Sequence, residues 1–379
     1  MLINRTELIK SINKCSTVIG RTSTLPIIEN VLIKFADKQV KVMATNLEVT
    51  MISSFASDND IETTICIDPK PLKDFLSVIE TDQVEFSILV NEDAEEEADR
   101  KIPTTARFEY GLGSEIEFPL MNPEKFPTFP QKNKDDIGFI VSGEVLKDIL
   151  ADLRPYVSND EMRPTMTCVK IDLTESHIRG TATNAHVLQT INKESVSEVP
   201  TGSVNFLINK NMIQAILKMG NVPFRMFLTD SNLMIFTEET ILAGTLTAGN
   251  FPNWEGAIPS DFENEIIFDK AEFIKGVNLS SLSADKSGKL IKFSVVGTKL
   301  EMITQDVETG RKGSFKMSLE SSKENHEFGM TSTIIKQVLD STPEVDHLKF
   351  KVNERKACIF GNKDATLILA MPSILVDKK

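Results

Sequence analysis

The sequence predicts an α+β protein built from three tandem copies of one unit, each copy holding two helices followed by short antiparallel strands. Three observations predict it. Amphipathic helices recur in pairs along the chain, an alternating strand and two further short strands follow the second helix of each pair, and one short phrase returns near the middle of each copy.

Taken in order, residues 6–19 place Leu8, Ile12, Cys15 and Ile19 on one helical stripe. ATNLEV (44–49) closes the strand pair that follows. DPKPLKDFLSVIE (68–80) opens on Asp68, a good N-cap, and aligns Leu72, Phe75 and Leu76. VEFSILV (84–90), RFEYGL and SEIEFPL then read as a three-stranded meander. The second copy repeats this with a helix over 144–154 (Leu146, Ile149, Leu150, Leu153) and the phrase ATNAHV (182–187). A helix over 209–220 (Ile213, Ile216, Leu217) and strands PFRMFLTD, NLMIFTE and ILAGTLTA complete it. In the third copy the helix at 270–284 is the weakest, because Gly276 and a Ser-rich end dilute Phe273, Ile274 and Val277. ITQDVE (303–308) is a looser version of the phrase, read with Ile303 at the place of Ala44. A helix over 331–342 (Ile335, Val338, Leu339) and strands HLKFKVN, KACIFG and ATLILAMP close the chain.

The spacings agree. Phrase to second helix is 28 residues from Ala44 to Leu72, 31 from Ala182 to Ile213, and 32 from Ile303 to Ile335. Leu72 to Phe126 is 16 residues longer than Ile213 to Phe251, and the acidic run at 91–106 accounts for the excess as a solvated loop. Boundaries fall at FPTFPQKNK (126–134) and FPNWEGAIP (251–259), giving domains 1–130, 131–255 and 256–379.

Composition narrows the function. With 41% hydrophobic and 26% charged residues, the 379-residue chain reads as globular, and no window approaches the ~20 apolar residues of a membrane span. No secretory signal opens it. Cys15, Cys66, Cys168 and Cys358 lie far apart, as buried hydrophobes do in a reducing cytoplasm. Walker A, GxGxxG, HExxH and GxSxG patterns are missing, and His177, His186, His326 and His347 share no ligand spacing. The expectation is a binding protein with no catalytic residue, metal or cofactor. A hydrolase using His186 with a nearby acid is the alternative.

The net charge of −13 disfavours a general polyanion binder, yet the charge is segregated. The six helix windows (5–21, 68–80, 144–154, 209–220, 270–289, 331–342) hold 15 Lys and Arg against 10 Asp and Glu, so the rest of the chain carries −18. A shared helical surface would be basic and suited to phosphates. Lysines on the wet faces of amphipathic helices would give the same count.

Four phrases make the resemblance specific. TELIKSINKCSTVIGRTSTLPIIENVLIKF (6–35) with ATNLEV, then GTATNAHVL (180–188), FPNWEGAIP and LAMPSIL (369–375) resemble, in order and spacing, segments of the bacterial DNA polymerase III beta subunit (DNA sliding clamp) family. The resemblance implies three similar clamp domains, each a pair of βαβββ units with helices on one face and antiparallel sheets on the other. It implies a head-to-tail homodimeric ring that encircles duplex DNA non-specifically and acts as a processivity factor in replication. Its partners would be DNA polymerase, a clamp-loader ATPase and other replication or repair proteins carrying clamp-motif peptides; ATP belongs to the loader.

Carried over residue by residue, a hydrophobic peptide-binding groove would comprise Thr183, Ala185, His186 and Leu188, Pro252 and Ile258, and Leu369, Met371 and Pro372, with Arg163 and Met166 at its edge. Leu188, Ile258 and Leu369 also read as ordinary strand core. Lys10, Lys14, Arg21, Lys210, Lys218 and Lys275 would be sliding phosphate contacts. Ile116, Phe118 and Leu282 would meet at the dimer interface, unless Ile116 and Phe118 face only their own core. The chain departs from the family at Ala185-His186-Val187, where Gly-His-Arg is usual, and at Ser373, where a large apolar residue is common. These changes bear on peptide preference more than on the groove's location.

Overall fold

The computed structural model describes residues 1–20, 24–58, 61–90, 102–110, 113–130, 136–194, 202–229, 231–258, 264–322, 325–341, 347–350, 358–362 and 366–370. Its elements follow one string three times over. The first pass is β1 (Leu2–Asn4), α1 (Arg5–Cys15), β2 (Val31–Ala36), β3 (Gln39–Thr45), β4 (Val49–Ala56), then β5 (Thr63–Ile67), α2 (Pro69–Val78), β6 (Gln83–Val90), β7 (Pro103–Tyr110) and β8 (Ser114–Pro119). The second is β9 (Ile137–Val141), α3 (Gly143–Leu153), β10 (Cys168–Thr174), β11 (His177–Thr183), β12 (Val187–Glu194), then β13 (Ser203–Asn209), α4 (Lys210–Ile216), β14 (Phe224–Leu228), β15 (Asn232–Phe236) and β16 (Thr240–Thr245). The third is β17 (Asn264–Ile267), α5 (Lys270–Ser283), β18 (Leu290–Val296), β19 (Lys299–Gln305), β20 (Lys312–Ser318), a two-residue β21 (Ser321–Ser322), then β22 (His326–Thr331), α6 (Ser332–Ser341), β23 (His347–Phe350), β24 (Cys358–Asn362) and β25 (Thr366–Ala370). Each pass is two βαβββ units, with β21 the sole addition among the described residues.

By contact the chain divides into two compact units: Met1–Lys147 with Ser195–Val204 and Ile208–Thr247, and Asp148–Glu194 with Asn205–Leu207 and Ala248–Lys379. The first unit holds a four-stranded sheet, β1-β6-β7-β8, and an eight-stranded sheet, β5-β2-β3-β4-β16-β15-β14-β9. The second holds a four-stranded sheet, β20-β19-β18-β22, and a nine-stranded sheet, β13-β10-β11-β12-β25-β24-β23-β17-β21, with the middle of β13 at its edge.

The helices form where the sequence supplies a cap and an apolar stripe. Asn4, Asp68, Asn209 and Asp269 each accept a first-turn backbone N–H, satisfying a donor the helix leaves open. Leu8, Ile12 and Cys15 bury α1 against β3 and β4, and Phe273 and Val277 bury α5 against β18–β20. α1 stops at Cys15, short of Ile19, because Thr17, Val18 and Ile19 each donate three residues back in a tighter turn. Gly276, which dilutes the third helix on paper, is where α5 comes closest to its sheet. A Cβ there would sit 2.6 Å from the Phe315 ring and 3.0 Å from Met302 Cε.

Other phrases find local reasons. The TLPII segment forms a short 3₁₀ turn, Pro26–Glu29, whose Ile27 and Ile28 pack with Cys66 and Phe126. Cys15, Cys66 and Cys168 are buried, and burial pushes the Cys15 and Cys66 thiols up to about 12, so both remain neutral hydrophobes. The acidic run at 91–106 is shorter as a loop than its composition suggests, since β7 begins at Pro103; residues 91–101 lie outside the described residues.

The recurring phrase is an Asx turn. Asn46 Oδ1 accepts from the N–H groups of Glu48 (3.1 Å) and Val49 (2.7 Å), and Asn184 Oδ1 does the same for His186 (3.0 Å) and Val187 (2.9 Å). In the third copy the equivalent carboxylate is Asp306, which accepts from Glu308 (3.0 Å) and Thr309 (3.1 Å). Asp306 therefore stands at the place of Asn46, and Thr304, not Ile303, at that of Ala44. The alignment read from ITQDVE is one residue out. The turn closes with Asn46 N–H on Val49 O, Asn184 N–H on Val187 O and Asp306 N–H on Arg311 O, so the third copy carries two extra residues.

Candidate nucleic-acid and peptide interfaces

The peptide-groove candidates lie in the second unit. Thr183 is buried, and its hydroxyl donates to Val187 O at 2.8 Å and accepts from Ala185 N–H. That pair of bonds holds Ala185 in the left-handed region, φ +72°, and leaves Ala185 and His186 exposed at the turn. His186 is a surface turn residue, a position that gives the hydrolase alternative no support. Leu188 is buried, and its backbone pairs with Leu369 where β12 meets β25. Pro252 and Ile258 are half-buried, and the turn between them is tied to β11: Arg179 reaches Glu255 at 3.3 Å and lies 5.8 Å from the Trp254 ring centre. Arg163 is exposed and pairs with Asp160 at 3.6 Å, while Met166 is half-buried; a Cβ on Gly249 would lie 3.1 Å from Thr165 in that turn. Met371 and Pro372 lie outside the described residues.

Sequence reading missed Arg179 and Met162. Met162 is 88% exposed beside Arg163, inside the quoted EMRPTM, and Arg179 is visible only once Trp254 is placed over β11. The left-handed Ala185 also carries a prediction. An L-residue there is strained by about 1–2 kcal/mol, and glycine gives part of that back in chain entropy, so Ala185→Gly raises stability by about 0.5–1 kcal/mol. Chemical denaturation of the two proteins side by side checks it.

The phosphate-contact candidates divide by helix. On α1, Lys10 and Lys14 both reach Glu239 in the β15–β16 turn, at 3.5 and 2.9 Å. Lys210 is half-buried at the start of α4 and Lys218 is exposed just past its end; Lys275 is exposed on α5. Arg21 lies outside the described residues. α3 differs in sign: counted from the helix start, Asp148 and Asp152 stand where α1 has Lys10 and Lys14, and Lys193 of β12 meets Asp148 at 3.1 Å. Burial raises the Asp152 pKa, with Lys193 opposing the shift. Among the described residues, no group of three or more His, Cys, Asp and Glu is placed to hold a metal ion, and no helix is long and apolar enough to cross a membrane.

Two family models match. Residues 1–130 match the DNA polymerase III beta subunit N-terminal domain, and 140–253 match its central domain. The chain belongs to the bacterial DNA polymerase III beta subunit family. A beta sliding clamp of Staphylococcus aureus is 26% identical over 328 residues, 81% of each chain, and one of Haemophilus influenzae is 21% identical over 373 residues, 97% of this chain and 94% of that one. The fold matches that of the Pseudomonas aeruginosa sliding clamp (TM-score 0.85, 16% identity, 99% of both chains). It also matches a Helicobacter pylori beta clamp bound to a DNA ligase peptide (TM-score 0.82, 14% identity, 99% of this chain and 100% of that one).

In this chain both large sheets are made by joining two halves at a seam, four strands to four in the first and four to five, β21 being the extra strand, in the second. The first seam pairs β4 with β16: Val49 with Gly244, Thr50 with Ala243, Met51 with Leu242, Ile52 with Ile241. The second pairs β12 with β25: Val187 with Ala370, Leu188 with Leu369, Gln189 with Ile368, Thr190 with Leu367. Val49 and Val187 each close an Asx turn, so the register is the same in both. The two remaining halves are the four-stranded sheets, and among the described residues β8 and β20 each have a strand neighbour on one side alone. On β8, Phe118 is buried in its own core, 5.8 and 5.6 Å by ring centres from Phe75 and Phe108, while Ile116 is half-buried. Leu282 is 71% exposed on α5.

Proposed function

We propose that this chain is a DNA polymerase processivity factor, two copies of which join head to tail in a closed ring that encircles duplex DNA. Its domains are 1–130, 131–255 and 256–379. The ring supplies binding and not catalysis: it slides on DNA through non-specific phosphate contacts and keeps a tethered polymerase at high local concentration on its template. A loader ATPase opens it. Polymerase, loader and repair proteins dock through short peptides on the surface around Thr183, His186, Pro252 and Leu369; the Helicobacter pylori relative with its ligase peptide supports this mode.

The observation that carries the reading is the repeated seam. β8 and β20, one in each unit, are the two halves of a third seam, and a second copy supplies the missing partner for each. The register transfers. Rungs crossed from two residues before the helix cap lead from Leu2 through Glu85 and Glu109 to Glu115, and from Ile140 through Arg225 and Phe236 to Ile241. Glu115 thus matches Ile241, and Glu117 matches Ala243. On the other strand Arg311 matches Val49, so Lys312 matches Thr50. Glu117 of one copy then faces Lys312 of the other, and Ile116 faces Gly313. Charged residues also guard free edges from aggregation, and here they give the edge a chosen partner.

Small-angle X-ray scattering with an absolute mass tests the reading. A mass near twice 42.2 kDa, with a distance distribution that demands a central hole, is expected. A compact monomer or a solid dimer would count against it.

A further inference from the structure

We propose that Glu239 is a built-in stand-in for DNA phosphate, holding Lys10 and Lys14 of α1 and giving them up to the duplex one charge at a time. The inference rests on the ring reading above and adds a regulator of its DNA contact. One carboxylate oxygen, Oε2, lies 2.9 Å from Lys14 Nζ and 3.5 Å from Lys10 Nζ. Lys14 is the more enclosed of the two, its side chain 18% exposed, whereas Glu239 is 55% exposed and open to exchange with solvent anions. The carboxylate is not a by-product of a loose loop. The β15–β16 turn that carries it is fixed by Thr237, which accepts from Thr240 N–H, and by the Glu239 carbonyl, which accepts from Ser54 N–H at 2.8 Å. The hydrogen bond and charge of Lys14 hold the Glu239 carboxyl below the usual carboxylate range.

The consequence is a contact that cannot become tight. A phosphate approaching α1 gains two lysines but must displace a carboxylate already seated on them, so the net charge gained there is about one and not two. Weak, quickly exchanged contacts suit a protein that moves along the backbone without reading sequence. Glu7 also reaches Lys10 at 3.5 Å, a local pair along the helix that dampens the same lysine.

The test is the full-length protein titrated onto a fluorescent, short linear duplex, which can thread through a ring, with affinity followed from low to moderate salt. Glu239→Gln keeps the backbone hydrogen bonds and removes the charge. It should bind several-fold tighter at low salt and steepen the slope of log affinity against log salt by about 0.9. Lys10→Gln/Lys14→Gln should bind more weakly than the parent, and adding Glu239→Gln to that pair should change nothing further. If Glu239→Gln leaves affinity and slope unchanged while the double lysine variant weakens binding, the inference falls and the ring reading stands. If the lysine variant binds like the parent, α1 does not touch DNA and the inference falls with that contact. If the parent shows no salt-dependent binding at all, both fall.

Discussion

Reversing the charge at Lys312 weakens self-association roughly thirty-fold, and Glu117→Lys on the same chain restores most of it. The expectation comes from the transferred register. At the two seams within the chain the corresponding pair is neutral, Thr50 with Ala243 and Leu188 with Leu369. At the proposed seam between copies the same position is Lys312 opposite Glu117. Replacing attraction by repulsion directly across an antiparallel pair changes the free energy by about 1 kcal/mol. A head-to-tail dimer contains the seam twice, so the change is about 2 kcal/mol, or roughly thirty-fold in the dissociation constant. Lys312 is exposed on an edge strand, so Lys312→Glu leaves the fold intact. Glu117 also pairs with Arg107 at 2.7 Å, and Arg107 keeps Glu115 at 3.5 Å in the doubly reversed chain, which is why rescue is large without being complete. Sedimentation at several concentrations and two salt levels measures it. A reversed chain as dimeric as the parent, at low salt, would rule out this register.

Gly180→Ala should cost about 1–3 kcal/mol. A Cβ there would lie 2.3 Å from Ile149 Cγ2 and 2.5 Å from Leu153 Cδ1, both on α3 and both fully buried. The β-branched Ile149 has little rotamer freedom in a helix, so the added methyl should push α3 away from β11. The loss should read as faster amide hydrogen exchange in β10–β12, with β2–β5 as protected as before. Removing the obstruction with Ile149→Ala should make the pair of changes cost less than the sum of the two alone. Full additivity would mean the backbone absorbs the extra methyl elsewhere.

How far these features could be read in advance differs from one to the next. The six helices were legible within a few residues, since each joins a capping side chain to an apolar stripe, and both are local properties. The Asx phrase was legible twice because ATN returns unchanged. Its third copy was misread by one residue because Asp306 replaces asparagine and two extra residues delay β20. Gly276 and Gly180 could not be valued from sequence, since their meaning lies in a partner 39 residues away for one (Phe315) and 31 and 27 for the other (Ile149, Leu153). The same holds for the charge count. It was confined to helices, and so missed that Glu239, a turn residue more than 200 positions downstream, sits on the lysines of α1. The groove candidates rest on the resemblance alone: nothing local distinguishes Leu188 from any other strand position until β25 is laid beside it.

The seams have a consequence for taking the chain apart. A cut near residue 130 follows the repeat in the gene but leaves β4 without β16. The excised first third would then expose the seam edge of β4 in addition to that of β8. The compact unit takes in the whole first copy together with the second half of the next, so it does not coincide with one copy of the repeat. Any cut between repeats therefore strips a seam strand of its partner: a fragment that ends beyond β16 keeps the first seam but leaves β12 without β25.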